Sequence, residues 1–324
     1  MWHYIVLAMG WLIGSIYELV KNYGVAIILF TLLIKLILMP LNIKSQKAMK
    51  KQQKIQPLVA EIQKKYANDK NKMQQEMAKV YKENGVSMMG GCLPLLLQMP
   101  ILIALYQAIS RPLTYMFNLN WTDETAGMLT EKITQIRDAA AAAGENLGNL
   151  ANTSAQDLFN QSQIQITNWA NHAAAPLNEW AINFKFLGLD LSQVPSTALS
   201  CFNDIQGNMS IIMLLIIPVL AILSSVAQSK ISMKLSGQDK NKSAANEQAQ
   251  SMSKMMTWMM PVMTGYFTFI LPAGVGLYWI ISGLITIAQQ IGLNYYFDKK
   301  GEGLDVRLPE SKRQHQHGKK SKKR

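Results

Sequence analysis

Five long apolar segments constrain this chain more than any other feature. They run over residues 24–41, 92–109, 209–227, 255–271 and 274–297, and each approaches the roughly 20 residues that a helix needs to cross about 30 Å of hydrocarbon. Lipid offers no hydrogen bonds, so a segment crossing it must satisfy its own backbone, and for a single pass only a helix does so. The expected fold is therefore all-α and polytopic, with five transmembrane helices. Composition agrees, since 49% of the residues are apolar and only 16% are charged, against about 25% charged in an average soluble domain.

The formal net charge of +12 would suit a nucleic-acid binder, but the charges follow the membrane instead. Residues 44–86 hold eleven lysines against four acids, residues 230–254 five basic residues against two acids, and residues 298–324 ten against four. Residues 113–208 reverse the sign, with only Lys132, Arg137 and Lys185 against nine acids. Basic and acidic connections thus alternate across the five segments as the positive-inside rule requires. This alternation puts the N-terminus and the acidic segment outside, and the three lysine-rich segments and the C-terminus in the cytoplasm. Cys92 and Cys201 then fall on opposite sides of the membrane and are not expected to pair. No metal-ligand spacing occurs, so neither metal nor cofactor is expected.

These patterns set expected boundaries. In residues 1–21, Trp2, Ile5, Val6, Met9, Leu12, Ile13, Ile16 and Val20 recur at three- and four-residue spacing, which predicts an amphipathic helix. A sixth span would upset the alternation of charge, so this helix is expected to lie at the outer interface rather than to span or be cleaved. Spans are expected over 22–43, 92–111, 209–229, 255–271 and 274–297. Residues 44–86 are polar but periodic: Ile55, Leu58, Val59, Ile62 and Tyr66 make one stripe, and Met73, Met77, Val80 and Tyr81 another. Asn68 and Asp69 supply turn chemistry between the stripes, Asn71 with Gln74 fits a capping box, and Gly85 suits a C-terminal cap. A cytoplasmic helical hairpin is the expectation, with a charged loop as the plainer alternative.

The extracytoplasmic segment over 112–208 contains an insert at about 120–180. Its middle, DAAAAAGENLGNLANTSAQDLFNQSQ, has few large apolar residues, which predicts helices of modest stability or a mobile spacer. Residues 230–254 are read as a cytoplasmic loop, and residues 298–324 as a basic, disordered cytoplasmic tail.

One residue breaks the apolar pattern. Lys35 sits in FTLLIKLILMP, nine residues before Lys44, which is about 13 Å along a helix axis. A lysine stem can lift its ammonium by several ångströms but not that far, and a lysine at mid-span opposes insertion by roughly 2.5–3.5 kcal/mol. No Asp or Glu falls inside any of the five expected spans. Polar company does: Thr31 one turn earlier, Gln98, Gln228, Ser224 and Ser225. Each alone reads as a packing residue, whereas together they suit a wet concavity entered from the cytoplasm. Pro94, Pro100 and Pro261 are expected to bend their helices and open gaps. Met252, Met255, Met256, Met259, Met260 and Met263 suit either ordinary packing or an adaptable apolar surface.

Four stretches in order, NYGVAIILFTLLIKLILMPLNIKSQKAMKKQQKIQP, GGCLPLLLQMPILIALYQAI, FLGLDLS and LPAGVGLYWIISGLITIAQQ, closely resemble the YidC/Oxa/Alb family of membrane protein insertases, in its bacterial five-helix form. The resemblance covers nearly all of residues 22–297 apart from the insert. It implies five transmembrane helices around a hydrophilic groove in a bacterial plasma membrane, open to cytoplasm and lipid, with one cation inside. That cation is usually arginine in the family and is Lys35 here, which keeps the charge and loses the planar fork. By the same matching Thr31, Gln98, Tyr278 and Trp279 line the groove or touch substrate. The implied partners are nascent membrane proteins with short translocated segments and membrane lipids, then the ribosome, through the basic tail and cytoplasmic loops, and a Sec translocon. No nucleophile with a base, phosphate loop or HExxH occurs, so no enzyme is expected. The rival reading is an ion or solute transporter in which Lys35 titrates or binds anions.

Overall fold

The computed structural model describes residues 2–85, 93–145, 147–201, 209–236 and 247–300, and among these the chain is mostly helical. Three of its helical runs are long and apolar enough to cross a bilayer: Trp2–Val20, Met209–Leu235 and Ala273–Lys299. Tyr23–Ile37 with Met39–Lys65 makes a fourth when the pair is counted as one bent span, and Met99–Ser110 is a shorter apolar helix. The helix over residues 2–20, expected to lie at an interface, therefore meets the same measure as the spans. The expected spans 92–111 and 255–271 overlap the helices Leu93–Ser110 and Glu247–Ile270, whose first side chains lie outside the described residues.

Helix α1 is Trp2–Val20 and α2 is Tyr23–Ile37. The apolar run expected to continue to residue 43 instead breaks at Leu38, and α3 begins at Met39 and runs to Lys65. Pro40 lies in the first turn of α3, where its missing N–H leaves no bond unmade. Further on come α4 (Lys70–Glu83), α5 (Leu93–Ser110), α6 (Pro112–Tyr115), α7 (Ala126–Ala142), α8 (Ala155–Gln161) and α9 (Gln163–Trp169). A two-stranded antiparallel sheet, β1 (Lys185–Phe186) with β2 (Leu189–Asp190), precedes α10 (Met209–Met213), α11 (Ile216–Ser236), α12 (Glu247–Ile270) and α13 (Ala273–Lys300). Pro100 and Pro261 lie inside α5 and α12, each of which continues as one helix, and Pro94 falls in the first turn of α5.

The chain divides into two compact units. The first comprises Met1–Leu36, Gln98–Ser225 and Pro261–Leu284. It has two cores. One packs Tyr23, Ile27 and Phe30 of α2 with Leu105 and Ile109 of α5, Ile217 of α11, and Val275 and Tyr278 of α13. Helix α1 joins this core through Val6 and Ile13 and crosses α6 so closely that a Cβ on Gly10 would fall 2.5 Å from the Tyr115 carbonyl oxygen. Only glycine permits that approach.

The second core lies in the acidic segment. Leu129, Ile133, Ile136 and Ala140 repeat along one face of α7 and meet Leu158 and Phe159 of α8, Ile166 and Trp169 of α9, and Trp180. Ser154 caps α8 by accepting from the Asp157 N–H at 3.1 Å. The buried Gln163 amide ties α9 to α6: its oxygen accepts from the Thr114 N–H at 3.0 Å and its nitrogen donates to the Thr114 hydroxyl at 2.8 Å. Lys132 lies 5.0 Å from the Trp180 ring centre. Of the two readings offered for this stretch, the described residues take the helical one and supply it with a core.

A polar frame holds the ends of two helices. Asn22 caps α2, accepting from the Val25 N–H at 3.1 Å, while the Tyr23 N–H donates to the Asn183 carbonyl at 3.0 Å. The first residues of α13 are held likewise, Ala273 N–H to Gln193 O at 2.9 Å and Gly274 N–H to Leu191 O at 3.0 Å. The Asp190 carboxylate accepts from the Ser192 N–H and hydroxyl and from the Gln193 amide, which shapes the turn between them. The FLGLDLS stretch is thus a short hairpin that grips the starts of α2 and α13.

The second unit comprises Ile37–Leu97, Val226–Met260 and Ile285–Arg324. Its α3 and α4 pack together through Ile55, Leu58 and Val80, with Ile62 and Tyr81 against them. The cap of α4 is Asp69, accepting from the Lys72 N–H at 3.0 Å, and not the expected Asn71, which lies inside the helix. Asp69 stands just outside the first turn, where its carboxylate reaches a free amide of that turn. After α4, Gly85 takes φ +60°, as a glycine after a C-cap does. Along α13, Asn42 donates to Gln289 at 3.4 Å, and Lys50 pairs with Asp298 and reaches the Asn294 carbonyl at 3.4 Å.

Candidate functional site

In the first unit, α2 turns one face inward. Tyr23, Ala26, Ile27, Phe30, Thr31 and Lys35 are buried, whereas Leu29, Leu32, Leu33 and Leu36 are exposed. Thr31 and Lys35 are four residues apart and so share that inward face. Lys35 is only 8% exposed and Thr31 1%. Facing the bundle, an ammonium exchanges lipid for protein or water, the arrangement in which charged groups persist inside membranes.

The Thr31 hydroxyl donates to the Ile27 carbonyl of its own helix at 2.6 Å. Its donor is engaged, so it offers only lone pairs to a neighbour. The same holds across the unit: Ser224 donates to Ala221 O at 2.9 Å, and Thr268 donates to Thr264 O at 2.8 Å. Thr264 reaches Ser225 at 3.5 Å, from α12 to α11. Backbone-bonded hydroxyls of this kind relieve polar atoms of α-helices without charge. They accept from water or an ammonium but do not attract a carboxylate, a role that the Lys35 charge fits.

Tyr278 is buried in the core that contains the inward face of α2, and the half-buried Trp279 stacks on Phe267 with ring planes 12° apart and centres 6.2 Å apart. These two are therefore packing residues of the same unit as Lys35 and Thr31. Gln98 belongs to that unit by its backbone, but its side chain lies outside the described residues. Gln228 is half-buried and belongs to the second unit. Of the methionines, Met259, Met260 and Met263 are exposed, which removes core packing as their role, and Met252, Met255 and Met256 lie outside the described side chains.

Sequence reading missed Thr264, Thr268 and Ser282, all buried. Their spacing carried the information: Thr264 and Thr268 are one turn apart, and Ser282 is one turn after Tyr278, so each pair shares a helix face.

A helical chain with several apolar helices of membrane length, and with a buried lysine in the last turn of the shorter apolar helix α2, defines a class: a multi-pass membrane protein. The sequence model of the 60Kd inner membrane protein family matches residues 15–300, and the chain belongs to that family, the YidC/Oxa/Alb group of the motifs above. It is similar to the membrane protein insertase YidC 2 of Listeria innocua serovar 6a, at 31% identity over 305 residues, 93% of this chain and 74% of that protein. The membrane protein insertase YidC of Clostridium perfringens is 57% identical over 92 residues, 28% of this chain and 39% of its own. That of Chlorobaculum tepidum is 27% identical over 275 residues, 85% and 33% respectively.

Proposed function

We infer that this protein is a membrane protein insertase and chaperone that moves short polar segments of nascent membrane proteins out of the cytoplasm and releases their apolar helices sideways into lipid. Family membership and the names of its relatives support the activity. The observation that carries the site is Lys35, buried on the inward face of α2 beside Thr31 in a unit whose other buried polar groups are mostly hydroxyls. In this reading the Lys35 ammonium draws an acidic tail or hairpin loop into a hydrated groove, and Tyr278 and Trp279 shape its wall. Gln98 and Gln228 remain in the proposal on the strength of sequence alone.

Opposite charges 4 Å apart attract by roughly 4 kcal/mol at an effective dielectric near 20, before desolvation is subtracted. That suffices to recruit a tail and still release it. The membrane potential, worth about 2.3 kcal/mol per charge per 100 mV, helps pull an acidic tail outward. No bond is made or broken. The charge alternation supports an N-terminus outside and a C-terminus in the cytoplasm, with a first span that ends near the break at Leu38 and further spans over 92–111, 209–229, 255–271 and 274–297. The basic tail, which beyond residue 300 lies outside the described residues, supports the ribosome as a partner by its charge, and a Sec translocon is a further partner.

The test is insertion of an acidic-tailed substrate into vesicles by wild type, Lys35→Arg and Lys35→Ala. Arginine should retain activity. Alanine should lose about tenfold for every 1.4 kcal/mol of net attraction removed, and full activity in the alanine variant would refute charge capture.

A further inference from the structure

The turn between β1 and β2 is built from Leu187 and Gly188, both with positive φ, +50° and +82°. Two-residue hairpin turns of this type favour Asn, Asp or Gly, because a side chain with a full Cβ is strained there. Leucine is a poor local choice, and yet it is 83% exposed, so it is not retained for the core of the described chain either. An apolar side chain held against its backbone preference and out of its own fold must meet something else.

Its mounting says what. The hairpin is fixed to the first residues of α2 and α13 by the Asn183, Leu191 and Gln193 carbonyls, so Leu187 rides on the ends of two apolar helices and not on a loose loop. Asn22 donates to the Lys185 carbonyl at 2.9 Å, which joins the hairpin to the link between α1 and α2. That link carries the exposed Lys21, and the last turn of α1 just before it carries Leu19, 85% exposed. Two uncovered leucines flanked by two exposed lysines, one of them among only three basic residues of the acidic segment, match a bilayer interface. Apolar groups enter the acyl boundary there and ammonium groups meet phosphate. Leu29, Leu32, Leu33 and Leu36 of α2, the helix that the hairpin holds at its start, are exposed as well.

We propose that Leu187 and Leu19 seat in the lipid of the membrane face at which α2 and α13 begin, with Lys21 and Lys185 on the phospholipid phosphates, so that the β1–β2 hairpin is a membrane anchor. The anchor sets the level of both helix starts in the bilayer.

A nitroxide at Leu187→Cys, in a full-length Cys92→Ser, Cys201→Ser background, tests this in vesicles of phosphatidylethanolamine and phosphatidylglycerol. Collision with oxygen should exceed collision with a water-soluble nickel chelate several-fold. The same label at the exposed Glu124 should show the reverse. Nickel access at 187 equal to that at 124 overturns the anchor. Low access to both reagents also overturns it and assigns the site to a covering protein, such as a second copy of this chain. In the unlabelled chain, Leu187→Asn should leave the melting temperature in detergent unchanged or raised, and a fall of several degrees would make Leu187 a fold residue and end the proposal. None of these readouts uses insertion activity, so the anchor and the insertase reading can fail separately.

Discussion

The acidic segment and the lysine-rich hairpin are both polar stretches between apolar helices, yet they are held together differently. The acidic segment gathers Leu129, Ile133, Ile136, Leu158, Phe159, Ile166, Trp169 and Trp180 into one core. The hairpin has Ile55, Leu58 and Val80, with Ile62 and Tyr81 alongside. Two helices in antiparallel contact have one seam to bury, whereas three helices and a tryptophan-bearing turn enclose a volume. Stability by burial scales with apolar area removed from water, so the stretch that reads as the weaker in sequence has the deeper core.

This difference is open to attack. Phe159→Ala should have the largest effect, about 3–5 kcal/mol as for large-to-small changes in closed cores, read by chemical denaturation of the acidic segment with its fragments followed by proteolysis. Ile55→Ala should cost less, about 2 kcal/mol at the low end of the range, because an open seam can collapse. Amide exchange of α3 and α4 measures it, and a larger effect there than at Phe159 would break the comparison. Asp69→Ala should remove about 1 kcal/mol with the cap of α4, seen as faster exchange confined to that first turn.

The smallest effect belongs to Lys79. Hydrogen bonding and charge from the Glu76 carboxylate raise its pKa above the usual 10.5. Its small contribution is therefore complete below the ordinary lysine range and is lost as pH rises through the raised value. At pH 7, Lys79→Gln should barely change the helicity of the hairpin, and at a pH above the raised value the two proteins should be indistinguishable by circular dichroism.

Helix periodicity made the hairpin readable: its two stripes supply Ile55, Leu58 and Val80 to a single cluster. In the acidic segment α7 carries a stripe of the same spacing, Leu129, Ile133, Ile136 and Ala140, but the residues that meet it come from the short α8 and α9 and from Trp180, whose few apolar positions do not stand out alone. The cap of α4 was misplaced from Asp69 to Asn71 since both have capping chemistry and only backbone geometry separates them. The break at Leu38 was hidden inside a continuous apolar run. In the site, Lys35 stood out as the charge in an apolar stretch, and Thr31 followed from one-turn spacing. Thr264, Thr268 and Ser282 did not stand out, since a hydroxyl in a membrane helix can satisfy itself on its own backbone.

Composition and order along the chain were enough to settle the class: helices for lipid, charge alternation, a lysine within an apolar run and family motifs are all local patterns, and the solvent acts on each of them segment by segment. Which face of α2 turns inward, where the acidic segment finds its core and why a leucine tips the FLGLDLS hairpin required the folded chain. Those properties depend on contacts between residues far apart in sequence, such as Asn22 with Lys185 and Tyr23 with Asn183, and no local pattern encodes which distant partners will meet.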